Sequence, residues 1–223
     1  AILGFKIPLN FNKPFFASSP SDFWTRWHIS LSTWVRDYLY YPLVFKNRNS
    51  NGLVFISLLI SMLLMGIWHG ASWNFLIWGG IHGLFLACYT LLRKNFSGAS
   101  SNKFFKSKIG KVTSILITQY LVFFTFIAFW MKDFNHMIYA MEKYVFLDFA
   151  TEGTIQIIRD NELPILLLIL FGILHFYSYR KGNLVEKISK MKIHYWAGIL
   201  FVFFISIAMF YVGSAREFIY FQF

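Results

Sequence analysis

The sequence predicts an all-α, multi-pass transmembrane protein of about five spans, preceded by an interfacial amphipathic helix, and three observations carry that reading. Composition is the first: 57% of the 223 residues are hydrophobic, 22% aromatic and only 14% charged, where a soluble domain carries roughly a quarter charged residues. A soluble chain this apolar would need a core larger than its length can enclose. The second is a set of apolar runs close to the roughly 20 residues that cross a hydrocarbon core. The third is the way charge sorts between those runs. Residues 1–223 read as a single membrane domain, with 1–50 cytoplasmic or interfacial and 51–223 carrying the transmembrane helices.

From the start of the chain, Ala1-Ile2-Leu3-Gly4-Phe5 has neither an initiator Met nor the basic, apolar, small-residue order of a signal peptide. It reads as the cut end of a longer protein. Further on, Ser19-Pro20-Ser21-Asp22 has the form of a helix N-cap, with Pro at the first helical position and an acid three residues after the cap. Trp24, Trp27, Leu31, Trp34, Val35 and Tyr38 then recur at helical spacing, opposite Asp22, Thr25, Arg26, Ser32, Thr33, Arg36 and Asp37. The spacing predicts one amphipathic helix ending before Pro42, lying among lipid headgroups where Trp and Tyr rings are favoured.

Five spans follow, at about Gly52–Trp68, Ala71–Leu92, Val112–Met131, Leu163–Tyr179 and Ile193–Val212. None has Asp, Glu, Lys or Arg in its interior, as lipid insertion favours. The first two abut at His69-Gly70-Ala71 with almost no polar loop. Two geometries stay open there. One is a tight hairpin, which deep in lipid must be buried in protein or border a cavity; the other is one long tilted helix with a Gly kink, broken later near Gly79-Gly80.

The connecting stretches test the spans independently. Residues 1–50 carry six Lys/Arg and two acids, 93–111 six and none, and 180–192 five and one, whereas 132–162 carries three bases and six acids. Alternating spans place the three basic stretches on one side, which the positive-inside rule makes the cytoplasm. The acidic stretch and the C-terminal Phe218-Ile219-Tyr220-Phe221-Gln222-Phe223 then fall outside. The net charge of +11, which in a soluble protein would suggest nucleic acid, reads here as topology and membrane-lipid charge, with no nucleic acid partner. A short Ser/Gly/Asn/Lys stretch at 95–103 is the one low-complexity loop.

A single cysteine, Cys88, rules out an internal disulfide or a thiolate cluster. Of six histidines, His136, His175 and His194 sit at margins of spans. His69 and His82 fall in apolar surroundings, where an ionisable residue is costly and is a functional-site hypothesis by default. Counting about 1.5 Å per residue from Leu53 puts His69 roughly 24 Å into a core of about 30 Å. Among Ile67, Trp68 and Trp73 the charged imidazole loses solvation, and the neutral form is a competent general base. On one continuous helix His69 and His82 would be about 20 Å apart, too far to share a metal. No HExxH, paired carboxylates, GxSxG or phosphate loop occurs, so no metal site is expected. The residues alone leave two classes open: a histidine-dependent membrane enzyme, or a transporter or structural membrane subunit.

Two blocks narrow the choice. The stretch from Ser21 through Leu43, containing Trp24-Thr25-Arg26-Trp27-His28-Ile29-Ser30 and Arg36-Asp37-Tyr38-Leu39-Tyr40-Tyr41-Pro42-Leu43, resembles one signature of the membrane-bound O-acyltransferase (MBOAT) family. Met65-Gly66-Ile67-Trp68-His69-Gly70-Ala71-Ser72-Trp73-Asn74-Phe75, followed by Trp78-Gly79-Gly80-Ile81-His82-Gly83, resembles the other, in the family's order. The spelling is most similar to members that O-acetylate alginate and other cell-wall polymers, with D-alanyl transfer to teichoic acid as a near alternative. One departure is Val44-Phe45, where a Gly pair commonly follows Pro-Leu.

The resemblance implies a partial MBOAT fold, the C-terminal part of a protein about twice as long, in the bacterial cytoplasmic (inner) membrane. It implies O-acyl transfer with His69, the histidine of Trp-His-Gly, as catalytic base, and with His28 as a second catalytic histidine near the reaction channel. Asn74 and Trp68 are candidates to orient the imidazole or line the channel. Arg26 and Arg36 are candidates for phosphate contacts, to lipid or donor. No bound cofactor is implied; an acyl thioester such as acetyl-CoA is a substrate. The implied partners are a periplasmic or extracellular acetylesterase-like transferase and an exported polysaccharide or cell-wall polymer.

Overall fold

The computed structural model describes residues 8–45, 47–95, 103–148, 153–182 and 184–210. The expectations for residues 1–5, for most of the 95–103 loop, for the last two residues of the fifth span and for the C-terminal 218–223 lie outside the described residues. Among the described residues every regular element is helical. In chain order the α-helices are α1 (Pro20–Trp24), α2 (Ile29–Val35), α3 (Tyr41–Val44), α4 (Asn51–His69), α5 (Trp73–Asn95), α6 (Lys103–Lys106), α7 (Lys108–Trp130), α8 (Phe134–Phe146), α9 (Thr154–Asp160), α10 (Glu162–Lys181), α11 (Leu184–Ser189) and α12 (Ile193–Phe210), with a 3-10 turn at Pro14–Phe16 ahead of them. The chain divides into two units, residues 1–154 and 155–223.

Four helices are long and apolar enough to cross a membrane: α4, α5, α7 and α10. They match the first four expected spans; α12 covers the described part of the fifth. Oxygen side chains start two of them where the chain enters the helix. Ser50 accepts from the Leu53 N–H ahead of α4, and Ser107 from the Gly110 N–H ahead of α7, each satisfying a donor that the first helical turn leaves without an intrahelical partner. The acidic 132–162 stretch is not only a loop, since α8 and α9 lie within it.

The open question at His69-Gly70-Ala71 resolves as a hairpin. α4 ends at His69 and α5 starts at Trp73, while Gly79 and Gly80 lie inside α5 without a break. Two glycines explain why the arms lie so close. A Cβ on Gly66 would fall 2.3 Å from the Phe75 carbonyl oxygen, and one on Gly79 the same distance from that of Met62. Backbone therefore meets backbone, the small-residue packing that joins helices in lipid, where apolar burial supplies little drive. α7 packs against α5, and α1 fills the angle between α5 and α7. The core they enclose includes Phe23, Trp24, Met62, Met65, Trp78, Leu86, Val122, Ala128 and Met137. In the second unit α10 is apolar all round and buries no residue, as suits a helix whose neighbour is lipid.

The single amphipathic helix expected over Ser19–Tyr38 is instead broken. The cap is as read: Ser19 Oγ accepts from the Asp22 N–H at 3.0 Å, with Pro20 at the start. But α1 stops at Trp24, His28 takes a left-handed backbone (φ 44°), and α2 restarts at Ile29 before passing into a π-helical turn, Arg36–Tyr40. Ser32 Oγ donates to the Trp27 carbonyl (2.8 Å) and holds the break. The periodicity that set Trp24 and Trp34 on one stripe thus fails across it: Trp24 is 8% exposed and Trp34 51%. Pro42 does not end a helix but stands in the first turn of α3, where a missing N–H costs nothing.

Asp22 secures α1 a second way. Burial raises its carboxyl pKa, but the Arg26 Nε–H (2.6 Å) and the Ser18 N–H (2.9 Å) outweigh that and hold it below the ordinary carboxylate value. A depressed folded pKa stabilises above the unfolded value, near 4, and the contribution disappears as pH falls through the folded value. Asp22→Asn in the full-length protein is expected to lower stability at pH 7 by about 1 kcal/mol. As the pH falls through the folded value the variant and parent should converge, read as thermal midpoints in detergent over an acid pH series.

Candidate active site

His69 closes α4, and the backbone geometry that follows is glycine-specific. Gly70 has φ 155° and ψ 154°, and its N–H donates to the Ile67 carbonyl (3.0 Å); an L side chain is disfavoured there. The turn sends the chain back along α4, so residues of α5 come to face the imidazole. His69 is 8% exposed. Trp78 meets it edge-to-face at 5.1 Å and 88°, Phe129 of α7 at 5.1 Å and 81°, with Phe75 at 6.1 Å and its neighbour Trp68 at 4.9 Å. Aromatic edges and faces pack well against a ring of this size. The result is an imidazole held by three helical segments at one end of the hairpin.

His28 stands between α1 and α2, within electrostatic reach of His69. Its left-handed backbone is braced from outside. The Asn12 N–H donates to the Arg26 carbonyl and the Ile29 N–H to that of Asn10, both at 2.9 Å. Asn10 Oδ1 accepts from the Ser30 N–H (3.1 Å) and hydroxyl (2.6 Å). A non-glycine residue held this way is strained, and such outliers point toward functional positions. Nδ1 of His28 is buried and has no hydrogen-bond partner among the described residues. Replacement by Gly should keep the fold, whereas His28→Val should cost about 1–2 kcal/mol more than His28→Gly. Comparing their thermal midpoints checks this.

The other sequence candidates separate. Asn74, 6% exposed, lies in the first turn of α5, close in the chain to His69. Trp68 is 55% exposed, with its ring edge-to-face against the His69 imidazole. Arg26 is engaged within the protein, on Asp22 and on the Asn12 carbonyl at 3.4 Å. Arg36 is exposed, pairs with Asp37 at 2.8 and 3.2 Å, and lies over Tyr41. It also borders a cavity of about 390 Å³ lined by Trp24, Ser61, Met62, Met65 and Leu86 among others, whose wall at Met65 is one turn before His69. In place of the Gly pair, Val44 is buried and Phe45 exposed against the Arg48 guanidinium.

Sequence reasoning missed two neighbours of the site, Trp78 and Phe129, and singled out His82 without setting it beside His69. Counting along one helix separated His69 from His82 by about 20 Å, but the hairpin sets both against the same Trp78 ring, His82 at 4.8 Å. The nearness of Gly66 to Gly79 across the turn was the available signal. Among the described residues no group of three or more His, Cys, Asp or Glu has the spacing to hold a metal.

Comparison with known proteins bears on what this arrangement is. The chain is 50% identical over 92 residues to the probable alginate O-acetylase AlgI of Azotobacter vinelandii, covering 41% of this chain and 18% of that protein. It is 37% identical over 146 residues to the teichoic acid D-alanyltransferase of Bacillus subtilis (60% and 35%). Against the peptidoglycan O-acetyltransferase of Helicobacter pylori it is 35% identical over 143 residues (64% and 26%). The matched region thus spans between about a fifth and a third of each relative. Residues 1–127, which take in α1 to α5, both histidine motifs and most of α7 including Thr125, match the profile of MBOAT, the membrane-bound O-acyltransferase family. Over more than half its length, then, and with the hairpin and both histidine motifs inside the match, this chain belongs to the MBOAT family.

Proposed function

We propose that this chain is part of a membrane enzyme that moves an acyl group, in the first reading acetyl, from a cytoplasmic thioester to a hydroxyl on an exported polysaccharide or on a partner protein. The observation that carries the reading is His69: a buried imidazole at the end of a span, in an aromatic enclosure, at the position of the family's Trp-His-Gly motif. In its neutral form His69 takes the proton of the acceptor hydroxyl as that oxygen attacks the thioester carbonyl carbon. The carbon–oxygen bond forms, the carbon–sulfur bond breaks, and the proton passes from the imidazolium to the departing thiolate. His28, within electrostatic reach, and Asn74 supply polarity for orienting the base or steadying the oxyanion.

The relatives' names support exported bacterial polymers as acceptors; a bacterial inner-membrane location and an extracytoplasmic esterase-like partner belong to the same proposal and rest on the motif resemblance. D-alanyl transfer to teichoic acid is the second reading, supported by the 37% identity to the Bacillus enzyme. The test is ester content of the exported polymer in cells carrying the full-length protein or its His69→Gln form. Loss of ester with normal membrane accumulation is the expected result; parental ester content overturns the reading. Acetate or D-alanine released from that polymer by mild base separates the two acyl groups.

A further inference from the structure

We propose that His82 and Thr125 form a positioning pair for His69, a reading that rests on the acyl-transfer function above. His82 is 2% exposed in the middle of α5, a costly place for an imidazole that the transfer step itself does not use. Its Nε2 lies 2.9 Å from Thr125 Oγ1 on α7. The threonine hydroxyl donates its one proton to the Val122 carbonyl at 2.7 Å, so Oγ1 accepts and His82 carries its proton on Nε2. The bond crosses between helices and is directional, which apolar contacts in lipid are not.

What it aligns is one turn away on both helices. Trp78 precedes His82 by four residues and Phe129 follows Thr125 by four, so each shares a face with its partner. Trp78 and Phe129 meet each other at 5.4 Å, and both set their rings edge-to-face on His69. The four side chains make two levels of one α5–α7 seam. The upper level is a hydrogen bond that fixes register, and the lower one is the pair of rings that fixes the imidazole. His82 also touches Trp78 directly, and it packs on Trp24 (5.1 Å) and parallel to Phe23 (6.2 Å, 11°), which ties α1 to the same level. Without the hydrogen bond, a small slide or rotation of α7 carries Phe129 off His69. Misplacing a catalytic group by about 1 Å can cost on the order of a hundredfold in rate.

The test uses the full-length protein in proteoliposomes, with thioester-dependent acyl transfer measured per correctly folded molecule. Thr125→Val keeps the shape and removes the acceptor; Thr125→Ser keeps it. The Val variant is expected to lose about tenfold in kcat with donor KM within about twofold of the parent, while Ser retains at least about half of parental kcat. His82→Leu combined with Thr125→Val should be no slower than the slower single variant, because one bond is lost in each. A purely structural role would lower yield or thermal midpoint and leave kcat per folded molecule unchanged. Parental kcat in Thr125→Val, equal losses for Val and Ser, or multiplying losses in the double variant would overturn the proposal. Should Thr125→Val not accumulate, His82→Gln, which keeps a donor, against His82→Leu makes the same comparison from the other side. His69→Ala in the same assay keeps the two readings apart. An active His69→Ala defeats the catalytic assignment, whereas an inactive one beside a parental Thr125→Val defeats only the positioning pair.

Discussion

Gly79→Ala in the full-length protein is expected to open the α4–α5 hairpin, with loss of both membrane accumulation and activity. A Cβ at that position would lie 2.3 Å from the Met62 carbonyl oxygen and 3.2 Å from the Gly66 Cα. No rotamer change relieves a clash with backbone, so the helices must separate. Overpacking costs typically 1–3 kcal/mol and sometimes more, and a backbone obstacle puts this case at about 3 kcal/mol. Gly66→Ala, 2.3 Å from the Phe75 carbonyl oxygen, should behave alike. Gly80 is the internal control: its added Cβ would touch only Leu63 Cδ2 at 3.5 Å, ordinary contact, so Gly80→Ala should accumulate like the parent. Protease accessibility of a tag placed after Asn95 reads the outcome, and equal protection of Gly79→Ala and Gly80→Ala would contradict it.

The second large effect is on chemistry. His69→Ala should lower turnover by at least about 100-fold, the low end of what a positioned general base supplies. The hairpin should stay intact, because Gly66 and Gly79, which set its closeness, are untouched. A neighbouring replacement sharpens the contrast. Trp68 is 55% exposed and Phe keeps an aromatic ring beside the imidazole, so Trp68→Phe should leave turnover within about threefold, even though it alters the adjacent residue of the same motif.

Much of this was legible in the sequence, and the failures have physical causes. The spans are visible because lipid demands long uncharged apolar runs, and Ser19-Pro20-Ser21-Asp22 names its helix start because a cap depends on local chemistry. His69 stands out because an imidazole deep in an apolar run is costly. By contrast, the break at His28 is invisible to periodicity. It is imposed by distant partners, Asn10 and Asn12, whose hydrogen bonds brace residues 26–30. The same holds for Phe129 and Thr125, which reach the site only through the packing of α7 on α5. Along-chain counting gave the His69–His82 separation only for one continuous helix, and the choice between that helix and a hairpin lies in the backbone turn at Gly70. Arg26, a candidate for phosphate contacts by its sequence setting, donates instead to Asp22 and the Asn12 carbonyl, partners that its place in the motif does not reveal.

The most direct measurement is turnover of the reconstituted full-length protein bearing His69→Ala, at saturating thioester donor, with and without added imidazole. A fall of at least about 100-fold is expected in a normally inserted protein, part of it regained as imidazole is added. Parental turnover in the absence of imidazole would contradict it.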